Sequence, residues 1–316
     1  MPKVKNICAQ LPEPEVIDAG AVAGGWLKGE IDLIVVLGPT ASGKTRYAVE
    51  LAEELNAMMA VGLFEGCPGR MTDDRPVGGV EIISADSRQV YRGMDIGTGK
   101  DLCEYGDVPY HLIDIADAGE QYNVYRYVED FKKVYADIRS RKAIPILCGG
   151  TGMYINAVTA GYDFSSRSPL SAKREAVQAD GLPRHPYFIG TLVSREVRNE
   201  RIDARLDARL REGMVEEIKG LLDRGVPEEV LLDYGLEYRF VTQYILGELT
   251  FDQMRERLAI AIHQFAKRQM TWFRGMERRG TPITWIDATI PMTEKVAEAL
   301  DAIARAETAG QTLERP

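Results

Sequence analysis

The sequence predicts an α/β fold, a parallel sheet flanked by helices and built on a phosphate-binding loop of the P-loop type, with a helical C-terminal half. Three observations predict it. Ile31 to Leu37 is an almost unbroken apolar, β-branched run, the pattern of a strand buried on both faces. It runs into Gly38-Pro39-Thr40-Ala41-Ser42-Gly43-Lys44-Thr45, which fits Gly, four residues, Gly-Lys-Thr. Tyr47, Ala48, Leu51, Ala52 and Leu55 then recur at helical spacing, so the loop sits between a strand and a helix. Further alternation of strands and helices implies right-handed crossovers within one parallel sheet.

Taken in order, residues 1–30 carry Pro12, Pro14, Gly20, Gly24 and Gly25 and read as a loosely attached extension. After the first helix, residues 56–79 form a glycine- and proline-rich excursion with a charged centre. Val80 to Ser84 is a second strand, ending in Asp86-Ser87-Arg88-Gln89, and Tyr91 to Lys100 is a loop. His111 to Ile115 is a short third strand, and Tyr122 to Arg141 is an amphipathic helix. Ile144 to Cys148 is a buried strand that enters Gly149-Gly150-Thr151-Gly152 and a helix from about Met153. Residues 160–186 are polar loop or short helix, and Tyr187 to Val193 is expected to be the last strand of the sheet. Ile202, Leu206, Leu210, Met214, Ile218, Leu221 and Leu222 form one helical stripe that stops at Gly225. A second long helix starts at a capping box, Thr250 with Gln253, buries Phe251, Met254, Leu258, Ala261, Ile262 and Phe265, and reaches Phe273. Residues 291–316 read as a terminal helix with a frayed end.

Composition bounds the function. A chain of 316 residues with net charge −9 and 45% hydrophobic residues is ordinary globular protein, not one that coats nucleic acid generally. A local basic footprint is present: between Ala266 and Gly280 there are five basic residues, Lys267, Arg268, Arg274, Arg278 and Arg279, against Glu277 alone. Cys8, Cys67, Cys103 and Cys148 lack metal-ligand spacing and read as reduced thiols. With no signal peptide and no membrane-length apolar run, a cytoplasmic protein without membrane contact is expected.

The motif residues carry specific chemistry. Backbone N–H groups at a helix N-terminus converge on one point and favour anions there. Gly38 and Gly43 let the backbone approach phosphate oxygens, Lys44 adds a full charge, and the Thr45 hydroxyl can hold Mg²⁺. The loop thus implies a diphosphate or triphosphate without saying which. Asp86 lies at the C-terminal end of a parallel strand, where ligands gather in such sheets. On local sequence alone it is a general base or a Mg²⁺ ligand of a nucleotide kinase. Asp114 reads as a structural carboxylate, His111 as a hydrogen-bonded, half-buried histidine, and Trp272 and Phe273 as helix-packing residues.

The ordered set of motifs resembles the tRNA dimethylallyltransferase family. The resemblance rests on the phosphate loop, Ile82 to Tyr91, Gly93 to Lys100, His111 to Ile115, Pro145 to Ile155 and Ala266 to Arg274, covering most of Ile31 to Ile286. It implies a prenyltransferase domain over 31–290 that moves a dimethylallyl group from dimethylallyl diphosphate to N6 of the adenosine 3′ of the anticodon. It implies Asp86 as general base, with Lys44 and Thr151 also catalytic, and diphosphate binding by residues 38–45 assisted by Thr98 and Lys100. Asp86, Ser87, Arg88, Gln89, Thr151, Lys267, Arg268 and Arg274 are then the expected tRNA contacts, Thr45 the Mg²⁺ ligand, and the anticodon stem-loop the partner of a monomer. The chain departs from the family in two places. The helical insertion that helps grip the anticodon stem-loop is reduced to about 159–186, and the family's Gly-Tyr-Lys/Arg-Glu-like run reads Gly235-Leu236-Glu237-Tyr238. Two rivals remain on sequence: an adenylate isopentenyltransferase acting on free AMP, ADP or ATP, and a P-loop small-molecule kinase.

Overall fold

Strands β1 (Leu33–Leu37), β2 (Val80–Ser84), β3 (Tyr110–His111), β4 (Ile144–Gly149), β5 (Pro186–Leu192) and β6 (Thr284–Asp287) form one sheet in the order β3-β2-β4-β1-β5-β6. The structure is a computed structural model, and it describes residues 19–60, 78–160 and 181–289. Every strand pairing is parallel. The C-terminal ends of β1, β2, β4 and β5 therefore open on one edge of the sheet, and the loops that follow them meet there.

Both faces of the sheet are covered, as the fully buried β1 requires. Helices α1 (Ala19–Leu27) and α2 (Lys44–Ala60) bury Val22, Trp26, Leu51 and Leu55 against one face. Helices α3 (Val124–Ser140) and α4 (Gly152–Thr159) bury Tyr127, Phe131, Ile138 and Ile155 against the other. The helical half has its own core. There α5 (Arg195–Glu212), α6 (Met214–Asp223), α7 (Glu228–Asp233), α8 (Leu236–Ile245) and the first half of α9 (Phe251–Arg278) gather around Ile202, Leu206, Ile218, Val241, Met254 and Leu258. The second half of α9 returns to the sheet, where Phe273 and Met276 join the same core as Trp285 of β6. One helix thus ties the two halves together.

Several sequence expectations are corrected. Residues 19–27 are not loosely attached: they form α1, and Val22, Ala23 and Trp26 are buried. Residues 56–60 belong to α2, with Met58 buried, whereas 61–77 and the terminal helix expected from 291 lie outside the described residues. The third strand stops at His111 because Leu112 and Asp114 have positive φ (61° and 57°), which no strand tolerates. β5 is not the last strand, since β6 pairs with it. The single stripe from Ile202 to Leu222 is two helices, broken at Gly213 with φ 105°. The capping box at Thr250 is present, and α9 runs on past Phe273 to Arg278, but Phe251 and Phe265 are exposed. His111 is half-buried and its Nε2 lies 2.6 Å from Glu81, as expected of a structural histidine.

Candidate active site

The phosphate loop is shaped by its neighbours. A Cβ on Gly38 would collide with the Thr191 hydroxyl of β5, so only glycine fits there. Ser42 is fully buried and its Oγ lies 2.6 Å from Thr191 Oγ1, which turns its side chain into the sheet and leaves the loop cavity to backbone atoms and Lys44. Gly43, with φ 79°, completes the turn into α2. Gln269 of α9 accepts the Thr40 N–H at 2.8 Å and donates to the Gly150 carbonyl at 3.0 Å. That one buried amide joins the loop after β1 to the turn after β4.

Asp86 stands one loop away, after β2. The Arg88 N–H donates to its Oδ1 at 2.9 Å, and its own N–H donates to Ser84 Oγ at 3.3 Å, which fixes the tight turn. The Ser87 N–H donates to Thr151 Oγ1 at 3.1 Å, while the Thr151 N–H donates to the Ala85 carbonyl. Close approach of these two loops requires Gly149, where a Cβ would strike the Ala85 backbone. Thr151 is thus the brace that holds the Asp86 turn in place.

Beside the loop lies a cavity of about 630 Å³, lined by Gly43, Lys44, Thr45, Arg46, Asp101 and Glu104 and by Arg201, Arg205 and Arg209 from α5. The three arginines are spaced by four residues, so they share one face of the helix. Arg205 forms an ion pair with Asp101, which Arg209 Nη2 also approaches at 3.4 Å. Lys44 has its pKa pulled down by burial, against the pull of Cys148 and Asp86. Arg209 is pulled down by burial and by Arg205. Cationic groups that are desolvated and mutually repulsive are what an anion would stabilise. Glu237, the departure near Tyr238, is pushed up by burial, with Arg209 and Arg205 opposing that rise. Burial also pushes the Cys148 thiol up to about 12, so at neutral pH it is a packing group, not a nucleophile.

Comparison with known proteins decides the lineage. A model described as IPP transferase matches residues 89–183 and 165–276. A tRNA dimethylallyltransferase 1 of Parabacteroides distasonis is 44% identical over 319 residues, spanning 85% of this chain and 96% of the relative. The chain belongs to the tRNA dimethylallyltransferase family. A second family member, tRNA dimethylallyltransferase 2 of Bacteroides fragilis, is 41% identical and spans 84% of this chain and 96% of its own. Among solved structures, the full-length tRNA isopentenylpyrophosphate transferase of Bacillus halodurans superposes with a TM-score of 0.67 at 29% identity, covering 90% of this chain and 99% of that one. A eukaryotic dimethylallyltransferase acting on tRNA shares the fold, with a TM-score of 0.65 at 20% identity.

Within this family fold the expected site residues part into two groups. Lys44 and Thr45 line the cavity, and Asp86, Ser87 and Thr151 meet beside the loop. Others serve the scaffold. Lys100, fully buried, donates its Nζ to the Tyr91 carbonyl at 2.7 Å and pairs with Asp95 and Asp114 beneath its own loop. Thr98 donates its hydroxyl to the Met94 carbonyl. Gln89 is buried, bonding Ser84 and the Gly99 carbonyl, and Arg88 reaches the Asp233 carbonyl at 3.3 Å. Arg274 pairs with Glu277 at 2.9 Å, whereas Lys267 and Arg268 are exposed. Sequence reasoning missed Gln269 and the α5 arginines. The four-residue spacing of Arg201, Arg205 and Arg209 was the available signal, but nothing in the sequence said which way that face pointed.

Proposed function

We propose that this chain transfers a dimethylallyl group from dimethylallyl diphosphate to N6 of the adenosine just 3′ of the anticodon in tRNA, acting as a monomer on the anticodon stem-loop. The observation that carries the reading is the pairing of a desolvated cationic cavity with a braced carboxylate on the neighbouring loop: Lys44, Arg205 and Arg209 on one side, Asp86 and Thr151 on the other.

Each half has a task. The allylic carbon–oxygen bond breaks and its electron pair leaves with the diphosphate, whose growing charge the loop N–H groups, Lys44 and the α5 arginines stabilise. The N6 lone pair forms the new carbon–nitrogen bond, and the proton that N6 sheds passes to the Asp86 carboxylate. N6 becomes acidic only as that bond forms, so a carboxylate is a strong enough base. Thr151 keeps the Asp86 turn at its station.

Mg²⁺ suits the donors of this cavity, whose side-chain groups open to a hard cation are oxygens: the hydroxyls of Thr45, Tyr47 and Thr289 and the carboxylates of Glu50, Asp101, Glu104 and Glu212. Thr45 would hold the ion together with diphosphate oxygens and water, and a bound Mg²⁺ would neutralise charge on the leaving group.

The test is incubation of labelled dimethylallyl diphosphate with tRNA and AMP in one vessel. Label in tRNA, at N6 of the adenosine following the anticodon, is the expected outcome. Label in AMP alone would establish the adenylate reading, and transfer of an ATP γ-phosphate would establish the kinase.

A further inference from the structure

Behind the Asp86 turn lies a chain of hydrogen bonds separate from the Thr151 brace. Gln89 is buried, and both ends of its amide are used inside the protein. Its Nε2 donates to the Gly99 carbonyl at 3.2 Å, and its Oε1 accepts from the Ser84 hydroxyl at 3.0 Å. The polarity is fixed, because a carbonyl only accepts, and that turns the amide oxygen towards Ser84. Ser84 Oγ in turn accepts the Asp86 N–H at 3.3 Å. One chain therefore runs from Gly99 through Gln89 and Ser84 to the Asp86 turn.

Its far end is anchored. Glu217 of α6 accepts the N–H groups of Asp95, Ile96 and Gly97 at 2.8, 2.7 and 3.1 Å, and Lys100 is tied to the Tyr91 carbonyl at 2.7 Å. Gly99 sits inside that clamped loop. Its carbonyl also accepts from Arg205 Nη2 at 3.3 Å. A Cβ on Gly99 would strike the guanidinium groups of Arg205 and Arg209, so glycine lets both arginines lie against the loop. Arg205 lines the anion cavity. The Gly99 carbonyl is thus a partner shared by the two halves of the site.

We propose that Gln89 is a positioning residue for the Asp86 carboxylate, tying its turn to the Gly99 carbonyl that Arg205 holds at the edge of the anion cavity. The inference rests on the reading of Asp86 as the base in prenyl transfer, and adds what sets that base at its distance from the leaving group. Thr151 ties the turn to β4, and Gln89 ties it to the wall that carries Arg205. A base that must meet N6 while the allylic carbon faces the diphosphate works only within about 0.5 Å of its station. Displacing it by about 1 Å costs rate far more than binding. A buried amide satisfied at both ends is stiff enough for that task.

The test is a double-mutant cycle of Gln89→Met and Asp86→Ala, read by single-turnover transfer to a saturating anticodon stem-loop RNA from enzyme preloaded with labelled dimethylallyl diphosphate. Methionine keeps the length of the side chain and removes both hydrogen bonds. Gln89→Met alone should slow transfer about ten- to a hundredfold and leave the affinity for dimethylallyl diphosphate within about twofold of wild type. In the Asp86→Ala background the same change should cost about twofold or less, because the group it positions is gone. Ser84→Ala should repeat the pattern with a smaller loss, and it carries the test should Gln89→Met fail to fold. Wild-type rates in both single variants overturn the proposal. So does an equal slowing with and without Asp86, which marks a general structural role, and so does a loss of diphosphate affinity in place of rate. Wild-type enzyme that transfers nothing, or Asp86→Ala that transfers at the wild-type rate, refutes the functional reading itself. A slow Asp86→Ala with an indifferent Gln89→Met refutes the positioning role alone.

Discussion

Two residues show how burial sets chemistry in this chain. Arg209 is desolvated, repelled by Arg205, and only partly compensated by Asp101 at 3.4 Å. An incoming diphosphate relieves that imbalance, so Arg209→Ala should weaken dimethylallyl diphosphate binding about tenfold or more while the fold persists. Calorimetric titration of the variant checks this, and an unchanged affinity would remove Arg209 from the site. Glu81 behaves differently. Burial opposes its ionisation, but hydrogen bonds from Arg141 and His111 overcome the penalty and hold its pKa below the ordinary glutamate value. A depressed native pKa contributes stability that is fully present above the unfolded value and disappears as pH falls through the native one. Glu81→Gln should therefore lower Tm at neutral pH and flatten the decline of Tm below about pH 5. A parallel decline in both proteins would mean that Glu81 does not contribute to acid sensitivity.

Among the elements, α9 decides the most. It carries Gln269, which joins the phosphate loop to the turn after β4. Gln269→Leu would leave the Thr40 N–H and Gly150 carbonyl without that partner, a cost of about 1–3 kcal/mol that denaturant unfolding would register. Diphosphate affinity should fall with it, because the loop loses its brace, and unchanged stability together with unchanged affinity would contradict that role. Much of this architecture was legible in the residues. The apolar run before Gly38 and the alternation after it specified a parallel sheet, and β2 came out at Val80–Ser84 as read. What stayed hidden was set by tertiary context. Thr284–Asp287 is too short to show a period, and it becomes a strand only because β5 offers it an edge. The break at Gly213 was masked by an apolar stripe that continues in phase across it. The pairing of Lys100 with Asp95 and Asp114 was hidden as well, because only the folded loop brings these residues together.

At the scale of the molecule, two features organise function: a parallel sheet that delivers separate loops to one edge, and a local basic strip on an acidic protein. Within the strip Arg274 is paired with Glu277, whereas Lys267, Arg268, Arg278 and Arg279 are exposed. Neutralising Lys267 or Arg268 should each lower the salt slope of RNA binding by about 0.7–0.9, and Arg274→Ala should leave it nearly unchanged. An equal effect from all three would show that the ion pair opens on binding. In the proposed reaction at the sheet edge, the loop after β1 holds the leaving group while the loop after β2 receives the proton. Single-turnover transfer from enzyme preloaded with labelled dimethylallyl diphosphate to tRNA tests it most directly, in wild type and Asp86→Ala. Asp86→Ala is expected to bind dimethylallyl diphosphate normally and to transfer about 10²–10⁴ times more slowly. Transfer at the wild-type rate by Asp86→Ala would contradict it.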